Sequence, residues 1–247
     1  MNKKISILLL IILLGSFVFT TALFAQEAAQ EGGNAFETIA STLFGKSLVK
    51  QFKDGGWAMW PLLALFIWGL GIGIWKLLVL LRGKINVEKF LDEVVPKLKD
   101  GNIKAALEYV ETQKGSVANL IRAGLLKSDS GIEAMEKAME NAAVVEMSFL
   151  DKGFNELSTT ITLAPMLGFL GTLLGMIIAF DDIQNTEVVD AGVVAGGIKI
   201  ALITSAAGLI IAIPVQFANN IFMTMVDSIV VDMQKATEKV IDTLTEK

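Results

Sequence analysis

The side chains that could carry chemistry in this sequence are a few polar residues inside long apolar segments. Thr172, Thr204 and Ser205 each lie near the middle of such a segment. Hydroxyls at that depth either bond the carbonyl four residues earlier in their own helix or line a polar path beside a titrating group. Lys199 is the one charged residue within residues 193–217. Its ammonium either snorkels toward the membrane surface or faces a carboxylate of a partner.

Several kinds of chemistry are excluded by composition. The 247 residues include no cysteine and no histidine, which removes disulfides, thiol nucleophiles, imidazole relays and Cys or His metal sites. The net charge is −5 without a basic stripe, so nucleic acid is not a predicted partner. We predict no catalytic residue, no metal and no cofactor. An enzyme would need a nucleophile–base or metal arrangement that this pattern does not offer.

Three long apolar segments must position the polar residues. They cover residues 57–81, 157–180 and 193–217, and each exceeds the roughly 20 residues that cross a bilayer as a helix. Residues 82–156 and 218–247 show helical spacing of apolar positions. The prediction is an all-α membrane protein with three transmembrane helices extended by long cytoplasmic helices.

Charge sets the predicted orientation. Residues 82–156 are rich in Lys and Arg, whereas the loop at residues 181–192 has acidic residues and no basic one. The positive-inside rule therefore puts residues 82–156 and the C-terminal helix at 218–247 in the cytoplasm, and the 181–192 loop in the periplasm. The N-terminus is then periplasmic.

Residues 1–25 have the pattern of a signal peptide. Lys3 and Lys4 precede an apolar run and small residues suited to cleavage. The alternative is an uncleaved first membrane helix. After cleavage, residues 26–56 would form a periplasmic N-terminal segment.

Two local expectations concern the ends of the first two spans. Lys76 lies late in the first span and can snorkel to the interface. From Ile132 into the second span only Gly153 weakens a helical pattern. One continuous rod from cytoplasm into membrane is therefore expected.

Small residues recur on the last two spans. Gly168, Gly171 and Gly175 lie in the second, and Gly208 lies in the third. Such residues let membrane helices approach closely, and we predict that these four pack helices together. Because one chain has too few spans to enclose a pathway, a cyclic homo-oligomer is predicted. No carboxylate lies in the middle of a span, so a proton-moving complex would need an acid from another subunit.

Two sequence runs resemble the signatures of the MotA/TolQ/ExbB proton-channel family. They are APMLGFLGTLLGM at residues 164–176 and GIKIALITSAAGLIIAIP at residues 197–214. With the matching topology, the resemblance covers roughly residues 55–245 and is nearest to the ExbB branch.

The resemblance implies a pentameric ring in the bacterial inner membrane around two copies of an ExbD-like single-span partner. The partner's membrane aspartate takes the proton. Thr172 matches one path-lining threonine of the family, and Ser205 stands at the second, with Thr204 beside it. All three are therefore expected to line the proton path. Some members have a glutamate where this chain has Ile200.

The implied function is to convert proton flow into motion. A TonB-like protein would pass that motion to outer-membrane transporters. A TolQ-like role in envelope integrity is the alternative within the family, and a non-conducting membrane scaffold is the alternative outside it.

Overall fold

The computed structural model describes residues 46–186 and 191–245, and every regular element in those ranges is helical. The predicted signal peptide, most of the predicted periplasmic segment and part of the 181–192 loop lie outside the described residues. The helices are α1 (Lys46–Asp54), α2 (Met59–Gly83), α3 (Val87–Lys99), α4 (Ile103–Thr112), α5 (Ser116–Leu125), α6 (Ile132–Asp151), α7 (Phe154–Thr186) and α8 (Ala191–Thr245). Short 3-10 turns occur at Gly56–Ala58 and Ser128–Ser130.

Three helical stretches are long and apolar enough to cross a membrane. They lie within Gly56–Lys99, Ile132–Asn185 and Ala191–Thr245, which confirms the predicted all-helical protein with three candidate spans. Large apolar side chains on these stretches stay exposed in the single chain, as at Phe169 and Leu202. Exposed apolar side chains on a long apolar helix suit contact with lipid or with other membrane helices.

The chain forms two compact units, and the first comprises described residues within 46–72 and 156–219. Its core joins Met59 and Leu62 of α2 to Ala164 of α7 and to Ile211 and Ala212 of α8. The residues contributed by α7 and α8 are mostly small. The core therefore brings the backbones of the last two predicted spans together.

The second unit comprises residues 73–155 and the described part of 220–247. Helices α3 and α4 have side-chain N-caps: Asn86 and Asn102 accept hydrogen bonds from the backbone N–H groups of Lys89 and Ala105. The remainder of α8 buries one stripe at alternating steps of four and three residues. That stripe consists of Phe222, Val226, Ile229, Met233, Ala236 and Val240.

Two expectations from the sequence are wrong. The predicted continuous rod is broken, because α6 ends at Asp151 and α7 begins at Phe154. Gly153 has a φ of +91°, a conformation that glycine adopts readily and that cannot continue a right-handed helix. Lys76 does not snorkel, since its side chain is fully buried. The carbonyl groups at the end of α6 give its ammonium internal partners.

Candidate functional site

The site begins with a close approach of the α7 and α8 backbones. A β-carbon added at Gly168 would lie 2.9 Å from the Thr204 carbonyl oxygen, and one added at Gly208 would lie 2.5 Å from the Ala164 carbonyl oxygen. At Gly175 it would lie 3.0 Å from the Gly197 carbonyl oxygen. These glycines are therefore required by backbone-to-backbone contact.

A pair of hydroxyls lies between the two helices. Thr172 Oγ1 of α7 is 2.8 Å from Ser205 Oγ of α8, and either atom can donate. Thr172 Oγ1 also lies 3.2 Å from the carbonyl oxygen of Ala201 and 3.3 Å from that of Gly168. A hydroxyl has one proton and two lone pairs. The Thr172 proton can therefore go to Ser205, or to one carbonyl while Ser205 donates to Thr172.

Thr204 is connected to the hydroxyl pair through the carbonyl group of Ala201. Its buried hydroxyl is placed to donate to the carbonyl oxygens of Ala201, at 3.0 Å, and Ile200, at 3.1 Å. The Ala201 carbonyl is thus an acceptor within reach of both threonine hydroxyls. A β-carbon at Gly171 would lie 2.5 Å from Thr204 Oγ1, so Gly171 makes room for this side chain. Thr204 bonds its own backbone, whereas Thr172 and Ser205 meet across the helix contact.

Lys199 has a carboxylate partner within its own chain. Its Nζ donates to Asp54 Oδ2 at 2.6 Å, linking the start of α8 to the end of α1. The pair is accessible, with the lysine side chain 56% exposed and the aspartate 28% exposed. The predicted contact of Lys199 with a partner protein stays a prediction beside this pair.

The described residues bury five polar or charged side chains, and none of them is a carboxylate. They are Lys76, Ser116, Thr160, Thr204 and Thr243. No group of three or more Asp or Glu residues in the described part of the chain could hold a metal ion.

Sequence reasoning identified the three hydroxyls but missed two pairings. Asp54 was not predicted to meet Lys199, and Lys76 was not predicted to meet the end of α6. The residues in these contacts are separated by 145 and by 74 or 76 positions. Helical periodicity relates residues only a few turns apart in the sequence. It therefore gave no signal for either of these long-range contacts.

Known proteins share these segments. The model of the MotA/TolQ/ExbB proton channel family matches residues 112–235. An ExbB homolog of Methanothermobacter thermautotrophicus is 29% identical over 69% of this chain and 61% of its own length. An ExbB-like protein of Synechocystis sp. is 32% identical over 72% of this chain and 70% of its own.

A further relative is the biopolymer transport protein ExbB of Xanthomonas campestris pv. campestris, 36% identical over 43% of this chain and 42% of its own length. The family match includes α7 and the hydroxyl-bearing part of α8, so it covers the site described above. This chain belongs to the MotA/TolQ/ExbB proton channel family, and it is ExbB-like.

Proposed function

We propose that this multi-pass inner-membrane chain is an ExbB-like subunit of a proton-driven motor that energises TonB-dependent outer-membrane transport. The observation that carries the proposal is the contact between Thr172 and Ser205 at 2.8 Å between two helices of a proton-channel family member. In this role the chain has no enzymatic activity. It forms a homo-oligomeric ring, which is a pentamer if it follows the family that the sequence resembles. Its N-terminus lies in the periplasm and its C-terminus in the cytoplasm.

The hydroxyl pair is suited to passing a proton along a chain of hydrogen bonds. Each hydroxyl donates one hydrogen bond and accepts others, and Thr172 has alternative acceptors within reach at Ser205, Ala201 and Gly168. Reorientation of these groups would let them solvate a proton or water without becoming charged. Thr172 and Ser205 would line the path, and Thr204 would support it from the Ala201 carbonyl.

The pair does not replace a titrating acid. Hydroxyls are not ionised at neutral pH, and a membrane proton path normally uses a carboxylate at depth. We assign that carboxylate to the membrane aspartate of an ExbD-like single-span partner. A TonB-like protein would receive the resulting motion.

The available energy is adequate for this work. One elementary charge crossing the membrane releases about 2.3 kcal/mol per 100 mV, whereas typical couplings between two protein sites are about 1–3 kcal/mol. One proton can therefore bias a conformational equilibrium.

Proton uptake tests the assignment. Vesicles that contain the chain and its partner should take up protons about tenfold more slowly with Thr172→Ala or Ser205→Ala, the factor for losing about 1.4 kcal/mol in one hydrogen bond. Thr172→Ser and Ser205→Thr keep a hydroxyl at each position and are the matched controls. They should retain most of the rate.

Wild-type uptake in both alanine variants would refute the hydroxyl path. A passive scaffold predicts a different result: dissipating the proton gradient would leave the cellular phenotype unchanged. A TolQ-like role shares the path, and the neighbouring genes would distinguish it from the TonB-linked role.

A further inference from the structure

The break between α6 and α7 is a short and well-defined joint. Lys152 caps α6 with φ −55° and ψ 137°, and its N–H donates to the Phe149 carbonyl at 3.3 Å. Gly153 follows with φ +91°, and α7 begins at the next residue, Phe154. The helix is thus interrupted for two residues, at a point where the sequence pattern favours a continuous helix.

A lysine from α2 reaches this joint. The Lys76 ammonium donates to the carbonyl oxygens of Leu150 and of Lys152, the latter at 2.7 Å. It also lies 3.8 Å from the centroid of the Phe154 ring. One cation therefore contacts the last turn of α6, the cap residue and the first residue of α7.

Each contact suits a positive charge. The final carbonyls of a helix lack intrahelical donors and carry the negative end of the helix dipole. The face of an aromatic ring also attracts cations. Burial of a cation is costly unless it is hydrogen-bonded, and a lysine near the end of a span has the alternative of reaching the surface. The Lys76 side chain is nevertheless 0% exposed, so the joint supplies partners in place of water.

We propose that Lys76 is a positioning residue that stabilises the α6–α7 joint, and so fixes where the hydroxyl-bearing helix α7 begins. The ammonium satisfies carbonyls at the end of α6 that the interruption leaves without backbone donors. Gly153 allows the required φ, and Lys76 keeps the two helix ends in this arrangement. The expected effect of Lys76 on proton uptake rests on the function proposed above. Its expected effect on the stability of the joint does not.

Backbone hydrogen exchange of the full chain in lipid nanodiscs tests the joint directly. With Lys76→Met, amides at residues 149–156 should exchange roughly tenfold to a hundredfold faster, the factor for losing a hydrogen bond to a charged donor. Lys76→Arg keeps a cationic donor and should restore much of the protection. Lys89→Met changes an exposed lysine and should leave these amides unchanged.

A second variant covers the case in which Lys76→Met fails to fold. Gly153→Ala keeps the ammonium but puts a β-carbon at positive φ, so it should also speed exchange at residues 149–156. Unchanged exchange in a folded Lys76→Met chain would overturn the proposal. If that variant does not fold, unchanged exchange in Gly153→Ala would overturn it instead.

Proton uptake adds a readout that stability alone would not move. In vesicles with the partner, Lys76→Met should lose most of the uptake and Lys76→Arg should recover it, in samples matched for the amount of assembled protein. Wild-type uptake in Lys76→Met, with fast exchange at the joint, would overturn the link between joint and function. Absence of partner-dependent uptake in the wild type would instead refute the proposed function, and the exchange result would still decide the joint.

Discussion

At the scale of single residues, the three hydroxyls of the site differ in how they use their protons. Thr172 and Ser205 face each other across two helices, whereas Thr204 bonds carbonyls of its own helix. The Ala201 carbonyl is within reach of both threonines. A substitution at each position therefore tests a different part of one network.

Replacing Thr204 should have a smaller effect than replacing Thr172. Thr204→Val keeps the branched shape beside Gly171 and removes a donor from carbonyls within its own helix. Proton uptake should stay within about threefold of wild type, less than the tenfold loss for Thr172→Ala. A tenfold loss, measured in the same vesicles, would make Thr204 an equal member of the path.

Lys199 and Asp54 offer a charge-reversal test. Because the pair is accessible, Lys199→Met should change the free energy of unfolding by less than about 1 kcal/mol, measured by thermal unfolding in detergent. Lys199→Asp alone and Asp54→Lys alone each place two like charges together. Each should therefore lower the activity of the protein, measured as proton uptake in vesicles that contain the partner.

The double variant restores opposite charges and should recover most of that activity. Activity as low as in the single variants would show instead that Lys199 faces a carboxylate of another protein.

At the scale of elements, contact between α7 and α8 depends on glycines whose α-carbons face the backbone of the other helix. Gly208 and Gly196 lie on the same helix and provide a matched pair. A β-carbon at Gly208 would lie 2.5 Å from the Ala164 carbonyl oxygen, whereas one at Gly196 meets nothing within 4 Å in the chain. The same substitution should therefore have different consequences at the two positions.

Gly208→Ala should destabilise the helix pair by about 1–3 kcal/mol through overpacking, and Gly196→Ala should be neutral or slightly stabilising. Thermal unfolding of the two variants in one detergent measures the difference. Equal melting temperatures would contradict the close approach of α7 and α8.

Much of this arrangement follows from local sequence, and part of it does not. Long apolar runs predict the spans, and small residues at four-residue spacing predict the packed faces. The joint at Gly153 could not be predicted, because a single glycine inside a helical pattern is usually tolerated. Burial of Lys76 was missed for a related reason: its acceptors exist only once α6 has ended. Contacts between residues far apart in the sequence determine both the joint and the burial of Lys76.

At the scale of the whole molecule, one chain leaves extensive apolar surface uncovered. Met166 and Phe169 of α7 are about 60% exposed, and so is Ile213 of α8, at 65%. Within the predicted cytoplasmic segment, Val144 and Val145 of α6 are each 68% exposed, where lipid would not cover them. We expect neighbouring copies of the chain to cover part of this surface.

The central claim is that copies of this chain assemble around a carboxylate that another protein supplies. Native mass spectrometry of the chain, co-expressed with its ExbD-like partner and extracted in mild detergents, tests it most directly. We predict a homo-oligomer that retains the partner, with five copies of the chain for two of the partner. A lone monomer without partner across all detergents would contradict the account.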